Sequence, residues 1–143
     1  MDYDQICKKI LDIDPKVRFA GVCDETGETK YGGMRDGKPS LLSPQESQKS
    51  NLQAVGRWGL RKSLTSKTGK GIYAMTEYEK LKRITFPLDD DDHLLVVTTE
   101  VDADHGNIIS NTLKLINQSQ KKKQSTFFDP LHIHFENSII SPI

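Results

Sequence analysis

The chain is poor in the residues that usually announce chemistry. It has two cysteines, Cys7 and Cys23, and no C-x-x-C pair. Two thiolates cannot complete a structural zinc site, which wants four ligands. The pair reads better as small core residues of a reducing compartment than as a disulfide. Net charge is missing too. The 20 Lys+Arg balance the 20 Asp+Glu of a 143-residue chain, so no electrostatic excess favours direct nucleic-acid contact or an anionic membrane. No apolar run approaches the roughly 20 residues that span a bilayer. Met1-Asp2-Tyr3-Asp4 lacks the basic and apolar regions of a signal peptide. The expectation is a cytoplasmic protein without membrane insertion.

Catalytic signatures are as scarce. There is no G-x-S-x-G elbow, no cysteine in an activating pattern, and only four histidines. Gly32-Gly33 and Gly69-x-Gly71 do not match the phosphate loop, which needs G-x-x-x-x-G-K-[ST]. Asp102, Asp104 and His105 could form an acid–base group, but Asp104 is better explained as the N-cap of a following helix. The expectation is a non-enzyme with no cofactor.

What the chain does have is well-punctuated secondary structure. Tyr3, Ile6, Cys7, Ile10 and Leu11 make one stripe of a helix over residues 2–11, which Asp14-Pro15 ends. A strand follows over 17–23, then the turn Asp24–Glu28 and a short second strand from Thr29 that dissolves at Gly32-Gly33. Ser43-Pro44-Gln45-Glu46 is a capping box with proline at the first helical position. It predicts a long helix from about 44 to 65, carrying Leu52, Val55, Leu60 and Leu64, two glycines at 56 and 59, and a basic flank of Arg57, Arg61 and Lys62 beside Trp58. Glycine costs a helix about 1 kcal/mol against alanine, so two glycines suggest that another backbone comes close. That backbone belongs either to a partner or to the chain's own sheet. Three strands are expected at 72–78, 81–88 and 93–99. In the second, Ile84, Phe86 and Leu88 oppose Arg83 and Thr85, while Leu94–Val97 reads as a strand covered on both faces. A helix over about 105–118 closes a domain of residues 1–118. Residues 119–143 read as a polar linker and an apolar tail.

The hairpin "VRFAGVCDETGETKYGG", the capped helix from Ser43 and "ITFPLDDDDHLLVVTTE" give the order α-β-β-α-β-β-β-α. In that order the chain resembles the roadblock/dynein light-chain and longin families, variants of a profilin-like fold, and is similar to archaeal proteins of that kind. The resemblance implies an α+β domain with a five-stranded antiparallel sheet and helices on its faces. It further implies a homodimer built on the central helix and the strand after it, serving as an adaptor or regulatory module for a small GTPase or a scaffold protein. Leu52, Val55, Gly56, Gly59 and Leu60 would then lie at the interface, with Arg57 and Arg61 near a partner. A small-ligand sensor with a pocket between central helix and sheet is the alternative.

Three other segments carry weaker suggestions. Asp89–Asp92 are consecutive and lack the alternation and glycine of a calcium loop, so a solvated turn is favoured over metal binding by Asp89 and Asp92. His132 and His134 would share one face of a strand at a workable metal spacing, but no third ligand is evident. Gln124–Leu131 is similar to the peptides that dock on sliding clamps, with Gln124 in the polar pocket and Phe127 at the hydrophobic plug. Pro130 and Leu131 stand where two aromatics are wanted. The competing reading packs Phe127, Phe128 and Phe135 on the domain itself or on a dimer mate.

Overall fold

The computed structural model describes residues 1–90 and 92–127, with side chains as far as residue 120. Helix α1 (Tyr3–Leu11) starts at Asp2, whose carboxylate accepts from the Gln5 amide at 3.1 Å. Strands β1 (Val17–Asp24) and β2 (Thr29–Met34) form the first hairpin. Helix α2 (Pro44–Lys62) follows, then a single turn α3 (Thr65–Thr68), strands β3 (Ala74–Glu77), β4 (Lys82–Pro87) and β5 (His93–Thr99), and helix α4 (His105–Phe127). The five strands form one antiparallel sheet in the order β2-β1-β5-β4-β3. The α+β class and the five-stranded sheet expected from the sequence are therefore present.

Side-chain alternation decides what each face carries. From β4, Ile84 and Phe86 point to one face, where they meet Ile6, Cys7 and Ile10 of α1 and Ile108, Ile109 and Ile116 of α4. Arg83 and Thr85 point to the other, toward α2. Strand β5 is buried on both sides. Leu95 and Val97 join the α1/α4 core, while Leu94 and Val96 join a smaller cluster with Cys23 and Ala54. Both cysteines are free and buried. Burial pushes the Cys7 thiol up to about 12 and the Cys23 thiol up to about 11, so neither is a ready nucleophile. Arg35, at the end of β2, donates to the carbonyls of Val17 (2.8 Å), Asp14 (3.0 Å) and Leu11, tying the end of α1 to the hairpin.

Several boundaries differ from the sequence expectation. Strand β2 continues through Gly32-Gly33 to Met34, because pairing with β1 supplies what local propensity does not. Strand β3 is limited to Ala74–Glu77, the residues that pair with β4, which leaves Ile72 and Tyr78 outside it. Helix α2 ends at Lys62. Helix α4 runs to Phe127, so the polar linker up to Ser125 and the first two residues of the apolar segment are helical. Its Gln and Lys residues are good helix formers, and no proline interrupts it before Pro130.

Candidate interaction site on the central helix

The start of α2 follows from its capping box. Ser43 Oγ accepts from the Glu46 amide at 3.1 Å, and Glu46 Oε1 accepts from the Ser43 amide at 2.9 Å. From there the helix lays a narrow stripe on the sheet. Only Asn51 and Ala54 are buried, flanked by partly buried Val55 and Trp58. Trp58 Nε1 donates to Thr85 Oγ1 at 2.9 Å, and the Arg61 guanidinium lies 4.6 Å above the indole ring. A Cβ on Gly71 would fall 2.5 Å from that ring, so the loop after α3 can cover Trp58 only with glycine there.

The outward side of α2 is open, with large apolar side chains exposed among the polar Lys49, Gln53 and Arg57. Leu52 is 50% exposed, Leu60 71% and Leu64 54%. Leu41 and Leu42 before the helix, and Ile72 and Tyr73 just ahead of β3, are exposed as well. A Cβ added to Gly56 or to Gly59 would meet nothing within 4 Å. Of the two explanations for these glycines, close approach to the chain's own sheet is thereby removed. The close approach of glycine to α2 lies elsewhere. Gly27, in the β1–β2 turn at φ +83°, would place a Cβ 2.6 Å from the Gln48 carbonyl and 2.9 Å from the Leu52 nitrogen. Beside the C-terminal half of α2 lies a cleft of about 680 Å³, bounded by Trp58, Arg61 and Lys62 on one side and by Lys70, Asp89 and His93 on the other.

Solved structures share this fold. The roadblock/LC7 domain from Streptomyces avermitilis matches 87% of this chain and 99% of its own length, at 15% identity and a TM-score of 0.62. The chain has the roadblock/LC7 fold. MglB of Myxococcus xanthus matches 85% of this chain and 97% of its own, at 11% identity and a TM-score of 0.60. An MglB solved in a tetrameric arrangement matches 80% and 87%, at 10% identity and a TM-score of 0.58. No protein-family model matches the chain, and no curated protein matches it in sequence.

Within this roadblock/LC7 fold the acidic turn has a structural partner. Asp90 Oδ1 accepts from the amides of Asp92 (3.2 Å) and His93 (3.1 Å), and Oδ2 faces His93 Nδ1 at 2.8 Å and accepts from the Tyr3 hydroxyl. Tyr3 and His93 pack ring against ring at 5.1 Å, and Tyr3 and Tyr31 at 5.2 Å. Burial works against the Asp90 charge, but the Tyr3 hydroxyl, His93 and the Asp92 amide outweigh it and hold the carboxyl below its ordinary value. The same burial and the Asp90 carboxylate raise the Tyr3 phenol well above its usual range. Asp89 pairs with Lys70 at 2.9 Å. Among the described residues no group of three or more His, Cys, Asp or Glu could hold a metal ion. The turn thus anchors the β4–β5 hairpin to α1, a contact that no local motif announces.

The acid–base trio does not assemble. Asp104 accepts from the Asn107 amide at 3.1 Å, Asp102 pairs with Lys16 at 2.9 Å, and His105 Nδ1 faces the buried Lys82 ammonium at 2.9 Å. No helix among the described residues is long and apolar enough to cross a membrane. Phe128, His132 and His134 lie outside the described residues, as do the side chains of Gln124 and Phe127.

Proposed function

We propose that this chain is a non-catalytic, cytoplasmic adaptor or regulatory module that pairs with a second copy of itself and serves a small GTPase or a scaffold protein. The observation that carries self-association is the outer face of α2. Leu52 and Leu60 are exposed there beside two glycines that nothing among the described residues requires. A helix normally avoids glycine, and small residues allow the close crossing of a second helix. Among the described residues no strand lies beyond β3, last in the sheet order, and Ile72 and Tyr73 just ahead of it are exposed. An unpaired edge is a template for a further strand. The roadblock resemblance and the tetrameric MglB support this reading. The GTPase or scaffold partner rests on the resemblance alone.

The test is sedimentation of the wild type and of a Gly56→Leu, Gly59→Leu double variant. At both positions a Cβ meets nothing among the described residues, and leucine raises helix propensity by about 0.8 kcal/mol at each. The isolated fold should therefore tolerate both replacements. A dimer in the wild type and a folded monomer in the variant is the expected result; an unchanged oligomer takes this helix face out of the interface. Affinity purification from the native host then asks whether a small GTPase or a scaffold protein accompanies the chain.

A further inference from the structure

Beneath the N-terminal half of α2 the sheet and the loop at residues 40–42 line a second, partly open pocket of about 110 Å³. Its wall contains two guanidinium groups, Arg18 and Arg83, and no carboxylate among the described residues. The two arginines differ. Arg18 donates to Glu100 at 2.9 Å and to the Pro39 carbonyl at 2.9 Å, so its charge is compensated. Arg83, half-buried, donates to the Asn51 side-chain carbonyl and has no ion pair among the described residues. Asn51 is itself oriented by donating to the Gly27 carbonyl at 3.0 Å, which turns its oxygen toward Arg83. Burial, with Arg57 as a nearby like charge, draws the Arg83 guanidinium below its ordinary value.

An arginine carries five N–H donors in a planar fork suited to carboxylates and oxyanions. A half-buried guanidinium with no acidic partner is costly unless something compensates it. The hydroxyl-bearing residues Ser47 and Ser50, on the face of α2 above the sheet, line the same cavity. A cavity of about 150 Å³ can hold benzene, with its six carbons. By that scale 110 Å³ suits about four or five non-hydrogen atoms, the size of acetate or phosphate. A strand of nucleic acid or a protein surface does not fit beneath the helix.

We propose that this cavity is a binding site for a small anion, a carboxylate or an inorganic oxyanion, held by the free guanidinium N–H groups of Arg83 with the hydroxyls of Ser47 and Ser50 beside it. The site is separate from Gly56, Gly59 and Leu60, none of which lines it, although the exposed Leu41 and Leu42 do. Occupancy would neutralise Arg83 and tighten the hold of α2 on the sheet.

The experiment titrates the ¹⁵N-labelled full chain with sodium acetate and separately with sodium phosphate, against sodium chloride at matched ionic strength. The expected result is a saturable shift of the Arg83 side-chain N–H and Asn51 side-chain amide signals with at least one of the two anions, and a rise in Tm beyond that given by chloride. The two arms distinguish a carboxylate from an oxyanion site. Arg83→Gln should abolish the saturable response while the spectrum stays dispersed. If that variant does not fold, Ser47→Ala, Ser50→Ala should weaken binding by roughly tenfold, as expected for lost hydrogen bonds to a charged group. Shifts that merely track chloride, a response to neither anion, or one retained in the folded Arg83→Gln chain or in the serine variant would overturn the proposal.

Discussion

The two faces of the sheet are built on different principles. Against α1 and α4, Ile10, Ile84, Phe86, Leu95, Val97 and Ile108 are fully removed from water. Against α2, the buried apolar set shrinks to Cys23, Ala54, Leu94 and Val96, with Phe19, Val55 and Trp58 partly buried around it, and a tryptophan–threonine and an asparagine–arginine hydrogen bond tie the helix to the sheet. Apolar burial yields about 25 cal/mol per Å². A hydrogen bond contributes only about 1 kcal/mol net, because the unfolded chain bonds water instead. The first face therefore carries most of the stability. The second leaves α2 with a sparse footing, an open back with exposed leucines and a cationic cavity beneath, which is where binding can be coupled to structure.

Matched truncations test that asymmetry most strongly. Phe86→Ala should cost about 3–5 kcal/mol in a denaturant melt, as expected for a buried phenylalanine. Trp58→Ala, on the other face and only partly buried, should cost less; equal losses would break the comparison. Gly27→Ala comes next. It must hold a left-handed backbone, a cost of about 1–2 kcal/mol, and push a Cβ into the α2 backbone, whereas Gly56→Ala should be neutral or stabilising by up to about 1 kcal/mol. A thermal melt of each pair reads the difference. Ser43→Ala should cost about 1 kcal/mol by removing one arm of the capping box, with helical content by circular dichroism as the check.

The smallest effect is in the acid limb. The Lys38 and Arg18 side chains hold the Glu100 carboxyl below its ordinary value, and Asp90 is held low as described. A carboxylate depressed in the folded state binds fewer protons there than in the unfolded chain. Its stabilisation is present above the ordinary carboxylate values, about 3.9 for Asp and 4.3 for Glu, and is lost as pH falls through the lower folded ones. Stability should therefore decline below about pH 4. Tyr3→Phe removes a donor to Asp90 and should flatten part of that decline; an acid limb identical to the wild type would show that the tyrosine does not matter there.

Legibility in the sequence followed the range of each interaction. The capping box at Ser43 and Glu46, the Asp104 N-cap, the alternation of Ile84 and Phe86 against Arg83 and Thr85, and the doubly buried Leu94–Val97 run were all readable. Each is set by residues within a few positions of one another. The candidate stripe Leu52, Gly56, Gly59, Leu60 was readable as a pattern, but not which way it faced. The aspartate run was readable as a turn but not as an anchor, because the group that meets Asp90 is Tyr3, far away in the sequence. The glycine that truly meets α2 is Gly27, which reads locally as an ordinary turn residue.

By itself the sequence determined the succession of elements, their caps and the side each strand turns to the core, because periodicity and end chemistry are local. Only the tertiary structure decided the strand order β2-β1-β5-β4-β3, the open back of α2, the Tyr3–Asp90–His93 anchor and the placing of Arg83 beside Asn51 in a cavity without carboxylates among the described residues. These depend on which distant surfaces exclude water together, and that free energy belongs to the assembled layers and not to any short stretch of chain.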